Sequence, residues 1–197
     1  MTIETFLALF GLATAATWTP GPNNVMLTAS GVNYGFRRTL PHIAGINTGF
    51  PVLIFLVALG LGEVFAASPA LREGMRWGGA ALLLWFAWKT ATAGRASATT
   101  TARPLTFWQA VGFQWINPKG WTMALATAAQ FVTGENPIIE SGACALAYFA
   151  TGLCSASVWA SFGVGIRRAL STDMRLRIFN GIMGASLAGF AIFLFLS

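Results

Sequence analysis

Thr19-Pro20-Gly21-Pro22-Asn23-Asn24 interrupts the first apolar run of the chain, and Asn117-Pro118-Lys119-Gly120 interrupts the fourth. Each stretch sets proline, asparagine and glycine into what otherwise reads as lipid-buried helix. Proline lacks a backbone donor and cannot complete the bond to the carbonyl four residues back, so Pro20, Pro22 and Pro118 free the carbonyls of Ala16, Trp18 and Gln114. In hydrocarbon an unsatisfied backbone group costs several kcal/mol, so such a break persists only inside protein or against a wet cavity. The two stretches are therefore the expected seat of a polar ligand.

The surrounding composition supports a membrane setting. Of 197 residues, 55% are hydrophobic and 9% charged, against about 25% charged in a soluble domain. The net charge of +6 sits in short connections between apolar runs and forms no stripe, which argues against nucleic acid as a partner. Met1-Thr2-Ile3-Glu4 has no cationic n-region, so the first segment is expected to stay in the membrane. Cys144 and Cys154 share one apolar segment without a CxxC or a His/Cys cluster. Two reduced, buried thiols and no metal site are expected.

Six spans meet the criterion of roughly 20 apolar residues: about 3–34, 40–65, 75–93, 105–132, 138–166 and 178–196. The first is too long for one helix across a bilayer core of about 30 Å, so it must be broken or tilted. Pro51 is the expected kink of the second. The small polar residues of 94–104 read as a loop joining two halves, about 1–93 and 105–197, of a single transmembrane domain. Arg37 and Arg38 fall in the first connection, Lys89, Arg95 and Arg103 in the third, and Arg167, Arg168, Arg175 and Arg177 in the fifth. Positive charge marks these odd connections as cytoplasmic, with both termini outside. Three spans per half is odd, so a repeated half would be inverted, and the breaks lie in the first span of each. Paired Gly/Pro interruptions in matching spans point to a transporter's binding site near the midplane. The fold class is accordingly an all-α membrane protein of two inverted three-helix repeats.

Asn117-Pro118 and Gly21-Pro22 each read as an N-cap followed by proline at the first helical position. A fresh helix N-terminus offers unpaired N–H donors and about half a positive charge, which suits a carboxylate. Pro20, Gly21, Pro22, Asn23, Asn24, Gln114, Asn117, Pro118 and Lys119 are the candidate substrate-binding residues. Lys119 lies near the centre of its span, too deep to snorkel, where a cation costs a few kcal/mol or more; it either holds a substrate carboxylate or titrates in proton coupling. His42 is a second candidate for proton coupling, although a lone interfacial histidine is more often structural. No Asp or Glu lies deep in a span. A dication or lysine-like side chain would thus go unpaired, while a zwitterion could rest its ammonium on freed carbonyls or on Asn23, Asn24, Gln114 or Asn47. Gly31/Gly35, Gly45/Gly49 and Gly74/Gly78 permit close helix contact. Trp77, Trp88 and Trp108 suit the interfacial belt, and Trp18, Trp115 and Trp121 are placed as cavity walls or filler.

The string Thr19-Pro20-Gly21-Pro22-Asn23, the run Gly35-Phe36-Arg37-Arg38 through His42, Gly45 and Gly49, and Arg76-Trp77-Gly78-Gly79-Ala80 to Ala87-Trp88-Lys89 resemble the LysE/RhtB family of bacterial amino-acid exporters. Phe113-Gln114-Trp115-Ile116-Asn117-Pro118-Lys119 and Gln130-Phe131 extend the resemblance into the second half. It implies six membrane helices, an inner-membrane location and amino-acid efflux driven by proton exchange. Many relatives carry an acid where Phe50 stands, and the departure looks like the cysteine and O-acetylserine exporter subgroup. The expected partners are a small neutral amino acid or derivative, protons and the lipid bilayer, with no cofactor and no catalytic residue; a homo-oligomer is left open. Two alternatives remain: a membrane thiol-redox carrier, which needs apposed cysteines, and an ion or metal exporter, which needs buried acids or histidine clusters.

Overall fold

The computed structural model describes residues 2–93 and 103–196, and the loop expected at 94–104 falls almost wholly outside them. The described residues form helices and short connections. Helix α1 (Ile3–Trp18) starts at Thr2, whose hydroxyl accepts the Thr5 N–H at 3.2 Å. It stops at Thr19, extended at ψ 129°, because the residue before a proline is driven out of the α region. Helix α2 (Pro22–Tyr34) restarts at once with Pro22 in its first position, where the missing N–H is no loss. Gly35, at φ +82°, turns the chain into α3 (Phe36–Leu56).

Helix α3 runs through both Pro41 and Pro51. The kink expected at Pro51 lies instead in a π-helical segment, Val57–Leu61, where Gly60 takes φ 123°. Glycine reaches that conformation at no steric cost. The chain continues as α4 (Gly62–Ala67) and then α5 (Pro69–Ala91), capped by the Ser68 hydroxyl on the Leu71 N–H. Arg72, Glu73 and Arg76 lie within α5.

Thr106 and Gln109 cap α6 (Phe107–Ile116) reciprocally. Asn117 is extended, and α7 (Pro118–Phe131) follows with Pro118 first. Helix α8 (Pro137–Ile166) begins at a loop clasped by Glu140, whose carboxylate accepts the N–H groups of Thr133 and Gly134 and the Thr133 hydroxyl at 2.6 to 3.1 Å. Glu140 is buried and has a structural task. Helix α9 (Asp173–Leu196) takes in Arg175 and Arg177, which the sequence placed in the preceding connection.

By length and apolarity, Phe36–Ala67, Pro137–Ile166 and Asp173–Leu194 can each cross a membrane. The pairs α1/α2 and α6/α7 are collinear in sequence but broken, and α1 alone is a shorter apolar helix. Helices α3 and α8 pack on each other at the centre; α2 and α1 lie against α8, α6 and α7 against α3, and α5 against α9. Apolar side chains fill the seams: Leu9, Phe50, Leu53, Trp121 and Tyr148 in one cluster, Leu83, Phe86, Phe113 and Leu187 in a second.

Glycines set how close the seams come. A Cβ on Gly31 would strike the Ala160 carbonyl and one on Gly163 the Thr28 carbonyl, so α2 and α8 touch through their backbones. Gly45 and Gly49 do the same for α3 against Phe107 and Val111 of α6. Of the three pairs read from sequence, Gly45/Gly49 packs as expected, Gly35 serves the turn, and Gly74 and Gly78 face open space. Gly163→Ala should lower stability by about 1–3 kcal/mol, because a backbone oxygen cannot step aside. Gly165, with nothing within 4 Å, is the control; melting of the detergent-solubilised variants should show a lower Tm for Gly163→Ala and no fall for Gly165→Ala.

Candidate functional site

The tertiary fold brings the two breaks together. Gly21, Pro22, Asn23 and Asn24 at the start of α2 and Asn117, Lys119 and Gly120 at the start of α7 line one cavity of about 50 Å³. Room of that size holds a few waters and is smaller than an amino acid. Thr17 from α1, Asn47 and Phe50 from α3, and Tyr148, Gly152 and Ser155 from α8 complete the wall.

Two helix N-termini and one C-terminus meet here. Pro22 and Pro118 carry no N–H, and the N–H groups of Asn23, Asn24, Lys119 and Gly120 lie in first turns, which have no intrahelical acceptor. The end of α1 contributes carbonyls instead. Asn24 Nδ2 donates to the Thr17 and Thr19 carbonyls at 3.1 and 3.0 Å, and the Ser155 hydroxyl donates to Thr17 at 2.8 Å. Lys119 Nζ donates to the Thr19 carbonyl at 2.6 Å and to that of Pro20 at 3.3 Å. A cation in the first turn of its own helix is unfavourable, and the negative end of α1 offsets it.

Gly21 leaves the space for that lysine. A Cβ there would fall 2.8 Å from both Cδ and Nζ of Lys119. Across the same seam, Asn23 Nδ2 donates to Gln114 Oε1 at 2.8 Å and Gln114 Nε2 returns a bond to Asn23 Oδ1 at 3.3 Å. Gln114 is fully buried, binds the Ala110 carbonyl as well, and stands behind the cavity wall. Pro20 enters through its carbonyl alone, and Pro118 faces a separate apolar groove beside α9 that Pro22, Asn117 and Lys119 also reach.

Asn117 differs from the rest. Its side chain is 3% exposed, caps no N–H of α7, and its Oδ1 has no hydrogen-bond partner. A buried acceptor left so costs about 1–3 kcal/mol, so it is set to receive a donor.

Several expected residues lie elsewhere. His42 is outside this cavity and lines a second one. Trp18 is partly exposed, and Trp121 stacks on Phe65 at 4.3 Å while donating to the Trp115 carbonyl at 2.8 Å, so the three tryptophans pack or cap and do not line the cavity. Cys144 is buried, but Cys154 is exposed, contrary to expectation, and both are free. Ten residues apart on one helix, they are about 15 Å apart along its axis, beyond disulfide reach. Among the described residues no three of His, Cys, Asp and Glu gather as metal ligands would.

Sequence reading passed over Tyr148, Gly152 and Ser155 on α8. Their spacing of four and then three residues puts them on one helical face, which is the signal that could have found them. Phe50 is in the wall and meets Tyr148 edge-on at 5.4 Å.

Comparison with known proteins identifies the family of the chain. The LysE type translocator family model matches residues 6–197. The chain belongs to that family. A cysteine/O-acetylserine efflux protein of Salmonella typhimurium (strain LT2) is 34% identical over 122 residues, 62% of this chain and 63% of that protein. Another protein of that description, from Escherichia coli (strain K12), is 33% identical over 137 residues, 69% of this chain and 70% of the other. The match thus spans a little under two thirds of the Salmonella relative. No solved structure matches the chain.

The Asn23–Gln114 amide pair ties α2 to α6, the two broken segments, and should be measurable as such. In a double-mutant cycle with Asn23→Ala and Gln114→Ala, the coupling read from melting in detergent should be on the order of 1 kcal/mol. Strict additivity would mean that the pair is not formed.

Proposed function

We propose that the protein is a secondary exporter of small neutral amino acids or their derivatives, of the cysteine, O-acetylserine, homoserine or threonine kind. It is a transporter and not an enzyme, and it resides in the bacterial inner membrane with both termini outside. The observation that carries this reading is the cavity where the N-termini of α2 and α7 and the C-terminus of α1 converge. Donors and acceptors are both present there, as a zwitterion requires.

In this reading the substrate carboxylate meets the first-turn N–H groups of Asn23, Asn24, Lys119 and Gly120. Its ammonium is received by Asn117 Oδ1, which lacks a partner, and by the carbonyls of Thr19 and Pro20. Lys119 occupies those carbonyls in the structure and so acts as a tethered stand-in for the substrate's ammonium. Entry of a solute displaces it, and the freed lysine turns to the carboxylate. Phe50 in place of an acid leaves nothing in the wall to favour a second positive charge, which agrees with a neutral side chain. The names of the similar Salmonella and Escherichia coli proteins point to the same substrate class.

Alternating access between two inverted halves, α1–α5 and α6–α9, completes the proposal. The packing supports it: exchanging the halves in chain order maps the α2–α8 seam onto α7–α3 and the α1–α8 seam onto α6–α3, while α5–α9 and α3–α8 map onto themselves. A cavity too small for the solute fits a contracted state that opens on binding. Proton antiport is the proposed drive, with Lys119 and His42 as candidate carriers.

Counterflow in proteoliposomes over a panel of amino acids, with and without a pH gradient, tests the whole. Accelerated exchange of cysteine and O-acetylserine, with little for lysine, is the expected result; a properly inserted protein that accelerates none of the panel would refute export. Lys119→Ala and Asn117→Ala should each reduce exchange by about tenfold or more, the worth of one charged hydrogen bond. Asn117 caps nothing, so loss of transport there with an unchanged melting profile isolates binding from folding. Wild-type rates in both variants would move the site elsewhere.

A further inference from the structure

A second cavity, of about 80 Å³, lies between α2, α3 and α5 and the described residues that lead into α6. Ser30, Asn33, Tyr34, His42, Lys89, Thr90 and Arg103 are its polar lining. Among the described residues that line it there is no Asp or Glu. His42 is 1% exposed, and neither ring nitrogen has a hydrogen-bond partner. A neutral imidazole carries one donor and one acceptor, and buried polar groups are satisfied by protein, water or ligand. With no protein partner, this ring is left to whatever the cavity holds.

The other polar groups sort into fixed and free. Asn33 is locked in a reciprocal amide pair with Asn180 at 2.9 and 3.1 Å and also binds the Ala29 carbonyl. Ser30 is paired with Thr39 at 2.8 Å. Lys89 rests over the Trp85 ring at 4.5 Å, a contact that leaves its ammonium donors open. The lining thus offers two cations and an imidazole N–H, a set that selects an anion.

Its place along the helices links it to the first cavity. His42 precedes Asn47 on α3 by five residues, about 7.5 Å along the axis, and on α2 the lining passes from Asn23, Asn24 and Leu27 to Met26, Ser30 and Asn33. Leu27 and Ile46, buried apolar side chains that line the first cavity, stand on α2 and α3 between its polar residues and Ser30 and His42 of the second. The second cavity lies toward the end of the molecule that carries Arg37 and Arg38.

We propose that this cavity is a carboxylate-binding entry station, holding a zwitterionic solute by its carboxylate through His42, Lys89 and Arg103 before it passes Leu27 and Ile46 to the site between the breaks. The proposal rests on the export reading and adds a sided step to it. A residue of the central site faces the solute from both sides of the membrane in turn, whereas a station at one end is met from that end only.

The test measures O-acetyl-L-serine exchange in inside-out and right-side-out membrane vesicles. His42→Phe and Arg103→Gln should each raise the half-saturation concentration by about tenfold when the solute is offered at the basic end. Less than a twofold change is expected at the other end. His42→Gln, which keeps a donor and an acceptor, should restore most of the loss; if His42→Phe does not insert, the exposed Arg103 carries the comparison. Equal shifts at both ends, or none at either, would overturn the station while leaving export intact. Absence of exchange by the wild-type protein at both ends would overturn export, and the station with it.

Discussion

The constraint on which this structure depends is that a helix broken inside a membrane must satisfy its own loose backbone groups. Water is not at hand, so the protein supplies the partners. At the end of α1 those partners are Asn24, Ser155 and Lys119; at the end of α6 they include the indole N–H of Trp121. Each donor comes from another segment of chain. The breaks can therefore exist only where α1, α2, α7 and α8 meet, and the polar cavity is the consequence of that meeting.

Lysine at position 119 follows from the same requirement. Deep in an apolar span a free ammonium is costly, and at the start of its own helix it opposes the dipole. The carbonyl end of α1 answers both problems, with Gly21 clearing the path for the side chain. Around the cavity the segments meet through polar contacts: a lysine on carbonyls and an amide pair between Asn23 and Gln114. Contrast the seams remote from the cavity, where Gly31 and Gly163 bring backbones into direct contact.

Much was legible before the fold was known. The broken spans and the restarts at Pro22 and Pro118 follow from proline's missing donor and the width of a bilayer, both local properties. Less legible were the contributions of α8. Tyr148 and Ser155 look like ordinary polar residues of an apolar helix until α1 is laid beside them, and Gly163 is one glycine among 22. The kink of α3 was assigned to Pro51, yet the backbone yields at Gly60. The helix runs on past both proline rings, whereas glycine reaches a positive φ that the change of direction at residue 60 requires.

Sequence alone thus determined that the chain is a membrane protein with two interrupted helices and a cation at the second break, because hydropathy, proline and charge act within a few residues of themselves. It also carried the family, through motifs that are contiguous. Only the tertiary structure decided that Asn117 Oδ1 is left without a donor, that Gln114 stands behind the wall, and that His42 belongs to a different cavity. Those facts are distances between residues tens of positions apart, and no local property of the chain contains them.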